Sequence, residues 1–135
     1  MENRIFLDTN IILDLIIPNR KYSNISKVVL EKLAENGYEF YISEDIISTT
    51  YYIAKNHKIE TIEFFQGALK FWNIVPFGKE VLEASFDFAL KNSCDLEDTL
   101  QCFCAKANNC TLLTSDKKFI DCGVEIVTYK DFLGE

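Results

Sequence analysis

The chain has 135 residues and a formal net charge of −7, and 48% of its residues are hydrophobic. This length and apolar content predict one domain over residues 1–135, while the acidic balance excludes a broad basic surface for nucleic acid and leaves room only for a local one. Acidic residues interrupt every early apolar run, so we expect neither a signal peptide nor a membrane span, and we predict a soluble, cytoplasmic protein.

Short apolar strands alternate with helices along the chain. Apolar residues at helical spacing indicate the helices, and short apolar runs indicate the strands. In chain order the sequence predicts a strand over 4–7, helices over 9–17 and 23–36, a strand over 39–43, helices over 46–54 and 59–72, a strand over 73–77, helices over 81–90 and 96–108, strands over 111–114 and 125–127, and a closing turn over 129–133. This alternation is typical of an α/β fold in which helices cover both faces of a central parallel sheet of four to five strands.

Two of the predicted strands are followed by an aspartate. Asp8 follows the first strand and Asp116 follows the fourth. In an open parallel sheet the ligand crevice lies at the carboxyl ends of the strands, so we expect these acids to be neighbours in space. Asp98 lies near the start of a helix, and Asp95, one turn earlier, can share its face and the positive end of the helix dipole. For each acid, a role as a helix cap or a turn residue stays open.

Carboxylates gathered at strand ends favour a hard divalent cation, Mg²⁺ or Mn²⁺, which keeps several waters and binds phosphate oxygens of a substrate. Such an ion lowers the pKa of a bound water and stabilises charge on a phosphate during in-line displacement, so no histidine or cysteine nucleophile is needed. The single histidine, His57, lies in a polar turn, which argues against a Ser-His-Asp mechanism. The sequence therefore predicts metal-dependent phosphoryl chemistry.

The five cysteines form an odd set without a paired C-x-x-C spacing. We interpret them as reduced thiols in the core rather than as zinc ligands. Cys102 and Cys104 are two positions apart and would point in different directions on a helix, which argues against a shared metal site.

Three segments, in this order, resemble the PIN-domain family. They are Phe6-Leu7-Asp8-Thr9-Asn10, then Asp95-Leu96-Glu97-Asp98-Thr99-Leu100-Gln101 followed by Ala105 and Ala107, and finally Leu113-Thr114-Ser115-Asp116-Lys117-Lys118-Phe119. The resemblance covers nearly the whole chain, and the length is similar to that of stand-alone PIN proteins that act as toxins of the VapC type. The ordered set is more specific than any one of the segments.

This resemblance implies a Mg²⁺- or Mn²⁺-dependent ribonuclease with a three-layer α/β/α sandwich. It also implies a homodimer that is held inactive by the small antitoxin protein of a type II toxin-antitoxin system. The positions that match the family's catalytic, metal-binding acids are Asp8, Asp98 and Asp116. Asp95 matches an extra acid found in a subset with an Asp-x-x-Asp pattern, and Asn10 and Thr114 match polar residues that support the site.

One position departs from the family pattern. The family places a further acid in the helix after the second strand, and here Thr49 occupies that place, while Glu44 and Asp45 lie about a turn too early. A threonine hydroxyl can hold a water or support another ligand but brings no charge. Metal affinity should therefore fall unless Asp95 compensates.

Two other functions stay open beside the leading one, an endoribonuclease in which a metal-activated water hydrolyses the RNA phosphodiester bond. The Thr49 departure is also compatible with a catalytically silent PIN fold that binds RNA or a protein independently of Mg²⁺. A receiver domain would need an acidic pair after the first strand and a phosphoacceptor after the third. Here the first strand offers one acid, and the third ends in Pro76-Phe77-Gly78.

Overall fold

The computed structural model describes residues 3–116 and 120–133. Lys117, Lys118 and Phe119, which end the third family-like segment, therefore lie outside the described residues. Among the described residues, no helix combines the length and the apolar composition that a membrane crossing requires.

Strands and helices alternate along the described chain. In order they are β1 (Arg4–Leu7), α1 (Thr9–Ile16), α2 (Ser23–Glu35), β2 (Glu39–Ser43), α3 (Asp45–Ile53), α4 (Lys58–Phe71), β3 (Asn73–Val75), α5 (Gly78–Asn92), α6 (Leu96–Ala107), β4 (Thr111–Leu113) and β5 (Ile126–Val127). Short 3-10 helices cover Lys55–His57 before α4 and Tyr129–Phe132 after β5.

The strands form one parallel sheet in the order β3-β2-β1-β4-β5. β1 is the central strand, because Phe6 is in register with Tyr41 of β2 on one side and with Leu112 of β4 on the other. Ile5, Phe6 and Leu7 have no exposed surface, as expected for a strand that is covered on both faces. The predicted α/β fold with a central parallel sheet is confirmed.

Helices pack on both faces of the sheet and complete the three layers. Successive side chains of β1 enter two different cores, because neighbouring residues of a strand point to opposite faces. Ile5 and Leu7 belong to a core that also contains residues of α1, α2, α3 and α4. Phe6 belongs to a second core, with Val81 of α5 and Ala105 of α6. Four helices therefore cover one face and two cover the other.

The region around β3 differs from the sequence prediction. The strand predicted over 73–77 covers only Asn73–Val75, since Pro76 has no N–H to donate to the sheet. The helix that follows begins at Gly78, three residues before the predicted start at Val81. These differences shorten an edge strand and leave the order of the elements unchanged.

The interpretation of all five cysteines as reduced thiols is wrong for two of them. Cys102 of α6 and Cys122, in the segment between β4 and β5, form a disulfide, while Cys94, Cys104 and Cys110 are free. The bonded cysteines are 20 residues apart in the sequence, so local spacing gave no sign of the pair. The bond ties α6 to the segment that begins directly after β4.

Candidate active site

The carboxyl ends of β1, β2 and β4 meet at one edge of the sheet, because these strands are parallel neighbours. The first turns of α1 and α3 lie at this edge, since each helix begins within two residues of the strand before it. The first turn of α6 lies near this edge as well, because Asp98 in that turn interacts electrostatically with Asp8 and Asp116. We call this region the acidic edge, after the side chains of Asp8, Asp45, Asp95, Glu97, Asp98 and Asp116.

Asp8 is the most buried of these acids, with 4% of its surface exposed. It caps α1, because its Oδ1 accepts a hydrogen bond from the N–H of Thr9 at 2.8 Å. Its Oδ2 accepts a second one from the hydroxyl of Thr114 at 2.7 Å. Burial raises the pKa of Asp8 and the charge of Asp116 raises it further, although both hydrogen bonds oppose this rise. The carboxylate is therefore fixed in place but costly to ionise.

Thr114 connects two of the predicted metal-binding acids. Its hydroxyl donates to Asp8 and accepts a hydrogen bond from the N–H of Asp116 at 3.0 Å. Thr114 itself is fully buried, and its N–H bonds to the carbonyl of Val127 at 3.0 Å. Thr114, which the resemblance implies as a supporting residue, therefore contacts both of these acids.

Asp98 lies in the first turn of α6 and is half-buried. Burial raises its pKa from 3.8 to about 6, and four carboxylates contribute to the rise, those of Asp8, Asp95, Asp116 and Glu97. Asp95 caps the same helix, since its Oδ2 accepts a hydrogen bond from the N–H of Asp98 at 2.9 Å. Asp8 and Asp116 thus lie near enough to Asp98 for their charges to raise its pKa, and Asp95 makes a capping contact in the same turn.

Glu97 and Asp45 also reach the acidic edge, and sequence analysis did not assign either to the site. Burial raises the pKa of Glu97, and the charges of Asp95, Asp45 and Asp8 add to the rise. By the family pattern, Asp45 lies about a turn too early in its helix to be the further acid. Because α3 begins only two residues after β2, its first turn is the part that acts on α6. The signal available in the sequence was the position of Asp45 two residues after a strand end.

Thr49 brings no charge to this region. Its hydroxyl donates to the backbone carbonyl of Asp45 at 3.3 Å, within α3.

The next residue, Thr50, is fully buried, and its hydroxyl has no hydrogen-bond partner in the described part of the chain. Gln101, one turn after Asp98, is also fully buried, and both atoms of its amide lack such a partner within residues 3–116 and 120–133. Polar residues on a buried helix face were the sequence signal for both.

Asn10, the other predicted supporting residue, contacts an arginine that sequence analysis did not single out. Its Oδ1 lies 3.5 Å from Nη2 of Arg20, in the segment between α1 and α2. Nε of the same arginine donates to Oδ1 of Asp14 at 2.8 Å. The hydroxyl of Tyr129 donates to the other oxygen of Asp14 at 2.7 Å. Burial and this contact with Asp14 raise the pKa of Tyr129.

The donor chemistry of the acidic edge fits a hard divalent cation. Mg²⁺ and Mn²⁺ prefer carboxylate oxygens, and a cation relieves the repulsion among carboxylates that adds to the effect of burial on the pKa of Asp98. In the part of the chain that the structure describes, no three histidine, cysteine or acidic side chains lie close enough together to enclose an ion. The arrangement therefore suits an ion that takes one or two carboxylates and keeps several waters, as Mg²⁺ usually does.

Comparisons with known proteins agree with this fold. The PIN-domain family model matches residues 5–124. Ribonuclease VapC1 of Aquifex aeolicus (strain VF5) is 32% identical over 133 residues, which cover 96% of this chain and 92% of that protein.

Two solved structures are similar in three dimensions. A toxin-antitoxin complex from Klebsiella pneumoniae has a TM-score of 0.70 and 24% identity, covering 93% of this chain and 97% of that one. VapC20 of Mycobacterium tuberculosis, a Sarcin-Ricin loop cleaving toxin, has a TM-score of 0.73 and 12% identity, covering 89% and 95%. Together with the match to the family model over most of the sequence, these findings confirm the resemblance: the chain belongs to the PIN-domain family.

Proposed function

We propose that this protein is a metal-dependent endoribonuclease of the toxin type, which hydrolyses RNA phosphodiester bonds at the acidic edge. One feature carries the proposal: burial raises the pKa of Asp98, and the charges of Asp8 and Asp116 raise it further, although Asp8 is far from the other two in the sequence. Carboxylates that crowd in this way disfavour their own ionisation unless a cation offsets their charge. Phosphoryl chemistry uses such a cation.

The relatives support RNA as the substrate class. The 32% identical relative is named a ribonuclease, and the structural neighbour VapC20 is described as a toxin that cleaves the Sarcin-Ricin loop. An RNA substrate also agrees with a cytoplasmic location, which we include in the proposal.

The protein's own residues would set the geometry of the reaction. Asp8 is held from both sides by hydrogen bonds from Thr9 and Thr114. Thr114 also fixes the N–H of Asp116, so these two acids stay at the ends of adjacent strands. When bound, Mg²⁺ or Mn²⁺ supplies a nucleophilic water and offsets the charge of the phosphodiester. The one or two carboxylates that would hold the ion come from Asp8, Asp95, Asp98 and Asp116.

A catalytically silent RNA- or protein-binding module is the second candidate function. It is favoured by the contact of Thr49, whose hydroxyl donates to the backbone of its own helix. The helix position that carries an acid in the family therefore contributes neither a charge nor a free hydroxyl hydrogen. A silent module would bind its partner equally well in Mg²⁺ and in EDTA.

We further propose that the chain forms a homodimer and has a cognate antitoxin protein. The Klebsiella pneumoniae neighbour is a toxin-antitoxin complex. In the described part of this chain, large apolar side chains are exposed on several helices, among them Tyr52 on α3 (80%), Phe71 on α4 (83%) and Leu90 on α5 (82%). Exposed apolar surface of this kind is typical of protein interfaces.

Cleavage of a panel of single-stranded and structured RNAs in Mg²⁺, Mn²⁺ or EDTA tests the enzyme directly. We expect metal-dependent cleavage by the purified protein and its loss in Asp8→Asn, in which the amide oxygen can still cap α1. Asp87→Asn, on the exposed surface of α5, is the matched control and should cleave normally. Cleavage retained in Asp8→Asn would contradict the proposed site. A folded protein that cleaves nothing in any metal would support the silent module.

A further inference from the structure

Arg20 places a positive charge beside the acidic edge. Its Nη2 lies 3.5 Å from Oδ1 of Asn10, in the first turn of α1 and two residues after Asp8. A third of the Arg20 side chain, 33%, is exposed to solvent. The arginine side chain is therefore partly exposed next to the first turn of the helix that Asp8 caps.

The way in which Arg20 pairs with Asp14 leaves most of its donors available. It donates to Oδ1 through Nε alone, rather than through the two terminal nitrogens that form a bidentate fork. The other oxygen of Asp14 is already bonded to the hydroxyl of Tyr129. Across residues 3–116 and 120–133, the guanidinium bonds to Asp14 and Asn10 and to no other side chain. Its Nη1 group and one Nη2 hydrogen remain for another acceptor.

Asp14 holds the arginine rigidly without competing for these donors. The carboxylate of Asp14 is 2% exposed and is fixed from the opposite side by Tyr129. An arginine held in this way loses little side-chain entropy when it binds a further anion. Nε alone is enough to pair Arg20 with Asp14. The two terminal nitrogens of the guanidinium are therefore not needed for charge neutralisation.

An RNA strand that approaches the acidic edge meets carboxylates, and the chain as a whole carries a net charge of −7. The strand therefore needs local cations on its phosphates, and guanidinium groups match phosphate geometry better than ammonium groups do. We propose that the Nη edge of Arg20 binds a phosphate of the RNA strand next to the phosphodiester that is cleaved. This inference rests on the proposed ribonuclease function and names a substrate-binding residue for it.

Two variants separate phosphate binding from simple charge compensation. Asp14→Asn keeps the arginine, while Asp14→Asn with Arg20→Gln removes both charges, so neither variant buries an unpaired carboxylate. Binding of an RNA that the wild type cleaves is measured in EDTA over a series of KCl concentrations. We expect the double variant to bind about ten-fold more weakly than Asp14→Asn, as for the loss of one charge-assisted contact. Its log-log salt slope should be smaller by about 0.7, the value for one phosphate contact on a single strand.

Lys27→Gln in the Asp14→Asn background is the control, because it removes one exposed positive charge from α2. It should shift binding much less than Arg20→Gln does. If Asp14→Asn does not fold, Arg20→Lys in the wild-type chain replaces it. This variant keeps the charge beside Asp14 but lacks the planar fork, so we expect unchanged thermal stability with a raised KM.

Equal affinities and equal salt slopes for Asp14→Asn and the double variant would overturn the assignment of Arg20. In that case wild-type cleavage would still support the ribonuclease, so the two proposals can fail separately. A wild-type protein that neither cleaves nor binds any RNA would overturn both.

Discussion

The crowding of carboxylates at the acidic edge predicts that removing one of them stabilises the metal-free protein. Asp98 is the informative residue, because burial and four neighbouring carboxylates raise its pKa from 3.8 to about 6. At pH 7 the ionised form prevails, and the native state disfavours it relative to the unfolded chain. Asp98→Asn keeps the size of the side chain and removes the charge, so it should relieve this repulsion.

The sign follows from proton linkage. A carboxyl whose pKa is higher in the folded state than in the unfolded one favours folding below its unfolded pKa, and this contribution is lost as the pH rises through the folded pKa. For Asp98 the loss therefore falls between about pH 4 and pH 6. A rise of about two pKa units in a fully buried group corresponds to about 3 kcal/mol. Because Asp98 is half-exposed, solvent screening reduces the expected effect to about 1 kcal/mol.

Thermal unfolding in EDTA measures this effect. At pH 7, Asp98→Asn should be about 1 kcal/mol more stable than the wild type, which corresponds to a Tm higher by about 4 °C for a chain of this size. At pH 4 the difference should nearly vanish. Added Mg²⁺ should raise the Tm of the wild type more than that of the variant, because the variant has lost a carboxylate ligand. Asp87→Asn serves as the control for loss of one exposed acid.

Two results would refute this reasoning. If Asp98→Asn lowers the Tm in EDTA at pH 7, the carboxylate contributes to the fold through a contact that outweighs the repulsion. If the Tm difference is the same at pH 4 and pH 7, the charge of Asp98 is not the cause. A wild-type Tm that does not respond to Mg²⁺ would argue against a cation at this edge.

Two further predictions concern contacts within and around the acidic edge. Thr114→Val removes the hydroxyl that donates to Asp8. We expect a loss of about 1–2 kcal/mol in the free energy of unfolding and a drop in cleavage of the same RNA panel by at least about ten-fold. Unchanged cleavage would show that this contact does not support the site. Cys122→Ala breaks the bond to Cys102, which closes a loop with a sequence separation of 20 residues, so chemical unfolding without reductant should show a loss of about 3 kcal/mol. Cys94→Ala, which removes a free thiol, is the control. Dithiothreitol should abolish the difference in stability between the wild type and Cys122→Ala. Equal stability of the wild type and Cys122→Ala without reductant would contradict the disulfide.

The sequence was sufficient for the fold class and the family. Short, mostly apolar strands that alternate with helices indicate a parallel sheet, and in such a sheet the residues after each strand meet at one edge. Asp8 and Asp116 are neighbours for this reason, and Asp98 joins them at the start of α6. The assignment of these residues as metal ligands remains a prediction. The open question about Asp95, cap or ligand, was a local one, and the structure provides a cap.

Local sequence alone did not reveal contacts between segments that are distant along the chain. Asp45 acts on Glu97 because β2, which ends two residues before Asp45, contacts α6, whereas the family pattern points to Thr49. Cys102 and Cys122 form a bond that their spacing did not suggest.

The sequence by itself determined which residues end strands and begin helices, because hydrophobic periodicity and capping depend on residues within one or two turns. It thereby determined the family and most of the acidic edge. The tertiary structure alone decided which charges meet across segments, including Arg20 with Asp14 and Asn10. The physical reason is that burial and Coulomb interactions depend on distances through space, which the packing of helices on the sheet sets and a single sequence does not specify.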